Sequence, residues 1–569
     1  MTRDIILKNV GEDLQFKIVS DAKVEKIKSV TDPYLLPDDI VKRVNDTFEN
    51  ELELGLKKNP EKQSSLQMAN TFVPKLLSGH EKGDFLALDL GGTNFRVILL
   101  KLDPERALDC IVKYYTVPEP LRLGEGQLLF DFLADCMHNF LEEKGLLGEK
   151  LPLGFCFSFP MIQTGINEGI LVTWTKSFKC KNVVGKEVVQ MLNHAFSKKK
   201  GVDVDVVAVI NDATGTMMMG SYLDKRSAVG MILGTGCNAA YFERVDRIEK
   251  WEGKHPGIDE VIIDIEWGAF GDNGVLDFMK TDIDKQVDLA SLLVHSFTFE
   301  KLFAGKYIGE IVKRVLSRLI DENVLSKCDV ENWNFTAADV SNTMEESNFG
   351  KILENLKSKG FLKATLEDAE IVHYVCTVIS IRGALLVSIL LASLLRRMDK
   401  EDVTFAIDGS LFKHHPKYDK YMEKFIATLA PGKKFQLILA EDGSGKGAGL
   451  VAAVITSLDS SQSESEDELN NSFESDHEFY SDYENCSSSP NEEEDHLNAG
   501  RGRMRSLTDS EDYSEESNEQ QNIEIAIDGT VWKKIETSSS PGRPPLHSDS
   551  FGDYLHSNAK VSKDTFSSK

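Results

Sequence analysis

The segment Asp89-Leu90-Gly91-Gly92-Thr93-Asn94-Phe95-Arg96 carries residue types that could do chemistry at close quarters. An acid leaving an apolar run into a Gly-Gly-Thr turn can hold hydrated Mg2+ while the turn amides meet phosphate oxygens. A second turn of this kind, Gly234-Thr235-Gly236-Cys237-Asn238, also sits between two apolar runs. Moving a phosphoryl group to an alcohol needs such donors, Mg2+ with a carboxylate to hold it, and a carboxylate that accepts the alcohol proton. Other solutions are missing from the sequence. Gly443-Ser444-Gly445-Lys446-Gly447 has Gly after its Lys and lacks the upstream Gly of a P-loop. There is no protein-kinase H-R-D or D-F-G set, and no G-x-G-x-x-G follows a strand.

The elements that must position these residues are legible from hydrophobic pattern. Phe85 to Asp89 and Phe95 to Leu100 read as strand, tight turn, strand. Val229 to Leu233 and Ala239 to Phe242 repeat that order around the second turn. The pair predicts two related α/β halves, each presenting a phosphate-sized turn. Gln127 to Leu146 reads as an amphipathic helix, and Leu153 to Phe159 as a strand closed by Pro160. Val206 to Ile210 is apolar throughout, as a strand buried on both faces would be. It ends at Asn211-Asp212, where a helix over Ala213 to Tyr222 can begin. Taken alone, Asp212 there would be a helix cap. Residues 1–67 read as a helical segment. The run Gly383 to Leu395, thirteen residues between Arg382 and Arg396, reads as a buried helix too short to span a bilayer.

Composition narrows the function further. The 569 residues carry a net charge of −27. That argues against nucleic acid and anionic membranes as partners, since phosphate neutralisation needs clustered Lys and Arg. From Asp459 to Lys569 there are 26 acidic against 9 basic side chains, a net −17, which leaves −10 for the body. This acidic, Ser-rich stretch, 459–569, cannot bury enough apolar surface to order itself and is expected to be a disordered tail. Its Ser residues in acidic context, Ser463 and Ser475 among them, suit kinases, so the tail is expected to meet kinases or other proteins. Eight cysteines lack metal-ligand spacing; a reducing cytosolic or nuclear setting fits them best, and a cytoplasmic place is expected.

Further segments join the two turns. Gly154 to Pro160 and Leu171 to Phe178, Ile210 to Met217, Leu233 to Ala239, Ile265 to Asp272, Ile407 to Lys413 and Glu441 to Ala448 occur in the same order as the motifs of the hexokinase and glucokinase family, which the chain resembles from about residue 15 to 458. The resemblance is to one catalytic unit, not the tandem double-length form. It implies an actin-like, ribonuclease-H-like two-domain α/β sugar kinase with an interdomain cleft. The small domain would be 68–208, completed by about 447–458, and the large domain 209–446. It implies ATP-dependent phosphorylation of a hexose, glucose first, at the 6-hydroxyl, the opening step of glycolysis. Asp212 matches the general base and Lys176 its catalytic neighbour. Ser158, Thr175, Lys176, Asn211, Asn238, Glu266 and Glu300 match sugar-binding positions. Asp89, Gly91, Gly92, Thr93, Asn94, Arg96, Thr235, Lys306, Asp408, Gly409, Ser410 and Ser444 match nucleotide and phosphate positions, with Asp89 reaching Mg2+ through water. In the tail, Asp528 to Ile535 after an acidic Ser-rich stretch resembles the N-terminal region of piggyBac-type transposases.

Three positions depart from the family pattern. Phe297 stands where Gln is expected, Asp264 where Asn is usual, and Ala213 where Thr follows the base. They remove no catalytic group but touch the sugar segments. The alternative they leave open is a catalytically weakened sugar-binding regulatory protein of the same fold.

Overall fold

In the computed structural model, residues 2–91, 94–106, 108–251, 259–330, 332–458, 523–525 and 531–533 are described. Their strands are β1 (Ala69–Asn70), β2 (Gly83–Leu90), β3 (Asn94–Leu102), β4 (Asp109–Thr116), β5 (Leu151–Phe157), β6 (Met161–Gly165), β7 (Glu168–Leu171), β8 (Val204–Ile210), β9 (Ser227–Leu233), β10 (Cys237–Arg244), β11 (Glu260–Asp264), β12 (Asp402–Asp408), β13 (Lys434–Leu439), β14 (Ile523–Ile525) and β15 (Val531–Lys533). The last two pair with each other, Glu524 opposite Trp532. The rest of the acidic stretch from Asp459, including most of the transposase-like segment, lies outside the described residues.

Two sheets share one topology. The first runs β4-β3-β2-β5-β8 and the second β1-β11-β10-β9-β12-β13. In each, three strands form an antiparallel meander and two more join in parallel: β4, β3, β2 then β5, β8 in one, and β11, β10, β9 then β12, β13 in the other. The two hairpins expected from the Gly-rich turns are β2–β3 and β9–β10. The repeat visible in sequence is thus a repeat of sheet order, with β1 added to one edge. Parallel strands fed by crossover helices must be buried on both faces, which explains the unbroken apolar run at Val206 to Ile210.

The helix Asp212–Leu223 lies between these sheets. Every residue from Ala213 to Ser221 is buried, as expected for a helix with no polar face. Its core mixes Ala208 and Ile210 from the first sheet with Ala240, Ile262 and Ala406 from the second. Asp212 therefore starts a helix that neither sheet can release alone.

N-terminal helices Asp4–Val10, Asp21–Thr31 and Asp38–Leu56 send Ile6, Ile27, Val44, Phe48 and Leu52 into the same core as the second sheet. Val41, Val44, Phe48, Leu52 and Leu56 fall at helical spacing on one face. The apolar run Gly383 to Leu395 proves to be the end of a 32-residue helix, Leu366–Arg397. That helix is long and apolar enough to cross a bilayer, so the thirteen-residue reading was short. Its most apolar window is nonetheless wholly buried inside the protein. A Thr365–Asp368 capping box starts it, and Arg396 and Arg397 occupy its last turn.

Candidate active site

A cleft of about 610 Å3 runs along the ends of both sheets. Asp212 enters it from the N-terminus of the buried helix. Asn211 caps that helix, its Oδ1 accepting from Ala213 N at 3.0 Å. Ala213, where the family pattern leads one to expect Thr, thus meets the cap through its backbone alone. Lys176 comes from the loop that follows β7: its Nζ donates to Asp212 Oδ2 at 3.1 Å and to the Ser158 carbonyl at 3.0 Å. Burial works to lower the Lys176 pKa, but the charge and hydrogen bond of Asp212 outweigh it and the net shift is upward. The ammonium therefore stays charged beside the carboxylate.

Around this pair lies a chain of polar side chains. Asn211 Nδ2 donates to Glu266 Oε1 at 3.1 Å. Asn238 Nδ2 donates to Asn211 Oδ1 at 3.2 Å and to Asp264 Oδ1 at 2.8 Å. Glu300 Oε2 accepts from Cys237 N at 3.1 Å. Glu266 sits at a φ of 55°, the left-handed region, and lines the cleft just before the buried Trp267. Trp267 is pinned by its indole N–H, which meets Cys237 Sγ at 3.1 Å. So many acids in one buried place raise one another. Burial pushes Glu300 and Asp264 up to about 7. Burial, then Asp264 and Asp212, hold Glu266 well above the usual carboxylate range.

The other end of the cleft gathers three carboxylates around one arginine. Asp89 is the last residue but one of β2, buried, and Arg96 faces it from the paired position on β3. Arg96 binds Asp89 directly, reaches Asp442 Oδ1 at 2.6 Å and donates to Ser444 Oγ at 2.9 Å. Ser444 Oγ donates in turn to Asp89 Oδ2 at 2.9 Å. Asp408 ends β12 and accepts from Gly443 N at 2.9 Å. Gly409 has a φ of 129°, and a Cβ there would lie 2.4 Å from the Leu233 carbonyl oxygen, so only Gly lets the ends of the neighbouring strands β9 and β12 approach this closely. Gly305 N donates to Gly234 O at 2.8 Å, which sets the start of the helix Gly305–Asp321 against the second Gly-rich turn. Among the described residues no cluster of three or more metal-ligating side chains exists. A single carboxylate suits Mg2+ that arrives with substrate phosphates and keeps its waters, and Asp89 fits that description.

Ser158, Thr175, Lys176, Asn211, Asp212, Asn238, Glu266 and Glu300 all line this one cleft, as do Asp89, Gly91, Arg96, Thr235, Lys306, Asp408, Gly409, Ser410 and Ser444. Gly92, Thr93 and the Asn94 side chain lie outside the described residues. Sequence reasoning missed Tyr114, Leu292, Leu293 and Tyr307, which also line the cleft, and Asp442, which anchors Arg96. Tyr114 was signalled only by register, since it pairs with Arg96 across β3–β4. Asp264 is not in the cleft wall; it stands behind Asn238.

Two family signatures, both described as hexokinase, match residues 26–222 and 228–454. Hexokinase-2 of Homo sapiens is 37% identical over 453 residues, covering 77% of this chain and 49% of that protein. Hexokinase-1 of Mus musculus is 36% identical over 455 residues, covering 78% and 46%. The chain therefore spans about half the length of the curated relatives it matches. A solved hexokinase from Schistosoma mansoni, complexed with glucose, superimposes with a TM-score of 0.71 at 34% identity, over 76% of this chain and 99% of that one.

Proposed function

The chain belongs to the hexokinase family, and from that premise we propose that it transfers the terminal phosphoryl group of ATP to the 6-hydroxyl of a hexose, glucose being the first sugar to test. The observation that carries this reading is the Asp212–Lys176 pair at the start of a helix held between both sheets, with Asp89 in the same cleft.

In this reading the sugar lies against Ser158, Thr175, Asn211, Asn238, Glu266 and Glu300, whose donors and acceptors match ring hydroxyls. Asp212 takes the 6-hydroxyl proton as the oxygen attacks. Lys176 holds the Asp212 carboxyl in place by its hydrogen bond and faces the charge that grows on the transferred group. Gly91, Gly92, Thr93, Asn94, Arg96 and Thr235 meet phosphate oxygens; Lys306, Asp408, Gly409, Ser410 and Ser444 meet the nucleotide. Mg2+, held through water by Asp89, would neutralise phosphate charge. Residues 68–208, completed by 447–458, and residues 209–446 act as two lobes that close on the sugar and exclude water as a rival acceptor. The seven described cysteines are free thiols, which supports a reducing, cytoplasmic place; phosphorylating a hexose there would open glycolysis.

The test is a coupled ADP-release assay on the full chain with glucose, fructose and mannose. Sugar-dependent ADP release supports the reading. Sugar binding without ADP release would overturn it in favour of a sugar-binding regulator.

A further inference from the structure

One wall of the sugar end is apolar, and the surrounding hydrogen bonds fix it there. Phe297 sits at a φ of 58°. Its own N–H and that of Thr298 both donate to the Asp272 carboxylate, at 2.9 and 2.8 Å. The loop before it is tied by Asp288, which accepts from His295 N at 3.0 Å and from Lys301 Nζ at 2.5 Å. Lys301 is itself buried and also donates to the Leu293 carbonyl at 2.5 Å. A Cβ built on Gly268 would lie 3.4 Å from Phe297 Cδ1 and 3.5 Å from Glu300 Oε2. The ring edge and the carboxylate thus border the same patch of floor, and Leu292 and Leu293 continue the apolar side.

A ring hydroxyl turned toward Asn238, Glu266 or Glu300 exchanges water for a protein partner. A hydroxyl turned toward Phe297 loses its water and finds none. We propose that Phe297 sets sugar choice: the cleft favours a hexose whose carbon facing this ring bears hydrogen instead of a free hydroxyl, a monodeoxyhexose, over the fully hydroxylated parent. This rests on the reading of the cleft as a hexose site.

The test is calorimetric binding of glucose and of the series of monodeoxyglucoses that keep the 6-hydroxyl, run beside ADP release, on the full chain. One member should bind at least about threefold tighter than glucose and the others weaker. In Phe297→Gln the order of glucose and that member should reverse, while Phe297→Leu keeps the wild-type order. The proposal is overturned if every deoxy sugar binds more weakly than glucose to the wild-type protein, or if Phe297→Gln folds and leaves the order unchanged. Should Phe297→Gln not fold, a reversed order in Phe297→Leu overturns it as well. The expected binding order without ADP release would sink the kinase reading and uphold this one. ADP release with glucose bound tightest would do the opposite.

Discussion

Gly447 and Gly215 meet so closely that a Cβ on Gly447 would lie 1.9 Å from the Gly215 carbonyl oxygen. The contact joins helix 443–458 to the helix that Asp212 begins. On its other side the same helix presses on β5, where a Cβ on Gly154 would lie 2.0 Å from the Ala448 carbonyl oxygen. Ser444, less than one turn before Gly447, holds Asp89. Two bare backbone crossings thus fix the distance between the Asp212 end and the Asp89 end of the cleft.

Gly447→Ala should therefore cost more than a typical surface change. The obstacle is backbone, which cannot rotate away, and overpacking of this kind costs about 1–3 kcal/mol or more. Because Ser444 moves with the helix, KM for ATP should rise while sugar affinity changes less. Chemical denaturation and steady-state kinetics on the one variant check both; an unchanged KM for ATP at reduced stability would show that the crossing does not set the cleft.

Asp212→Asn keeps a hydrogen-bond acceptor for Lys176 and loses the proton acceptor. Turnover should fall by at least about 10²-fold with sugar affinity largely retained, the usual signature of general-base loss. A variant keeping more than about a tenth of wild-type turnover would remove Asp212 from that role.

The hairpins and the paired halves were legible because Gly-rich turns between apolar runs fix both the turn and the register. The cleft residues were legible through short local motifs around strand ends. What stayed hidden depends on register and on satisfied burial. Asp264 could be marked as a departure, but only the β10–β11 pairing, Ala240 opposite Asp264, brings it to Asn238. The helix Leu366–Arg397 read as thirteen residues because Thr377, Ser380 and Arg382 interrupt its apolar pattern. Each is buried with a partner: Thr377 Oγ1 donates to His373 O at 2.9 Å, Ser380 Oγ meets His415 Nε2 at 2.9 Å, and Arg382 meets Asp284.

Arg382 is fully buried and grips Asp284 with two hydrogen bonds of 2.8 and 2.7 Å, over the Tyr34 ring. Asp284 also closes the capping box of the helix Asp282–Leu289. Arg382→Met leaves a buried carboxylate unpaired and should destabilise by about 3–5 kcal/mol. Adding Asp284→Leu should recover part of that loss, because the stranded charge goes with it. A single-variant loss below about 1 kcal/mol in denaturant melts would mean that the carboxylate finds another partner.

Glu300 and Asp264, both raised to about 7, make stability and sugar binding respond to pH in opposite directions. Glu300 faces Lys176, Lys306, Asp212 and the Cys237 N–H; Asp264 faces Asn238, Asp212 and a backbone N–H of Glu266. Both pKa values lie above those of the unfolded chain, so between roughly pH 4.5 and 7 the native state binds more protons than the unfolded one. Stability contributed by these groups is then present below that window and lost as pH rises through about 7. The sugar-free protein should accordingly lose melting temperature from pH 5.5 to 7.5, a window above the titration of ordinary exposed carboxylates. Sugar works the other way. A hydroxyl donating to Glu300 favours the carboxylate, so binding near pH 6.5 should release protons and affinity should rise toward pH 8. Glu300→Gln should flatten both slopes, since the amide neither titrates nor takes up charge. Calorimetry of glucose binding in two buffers of different ionisation heat reads the proton count directly. Zero proton release near pH 6.5, with affinity flat across the range, would mean that these acids are already ionised in the free cleft.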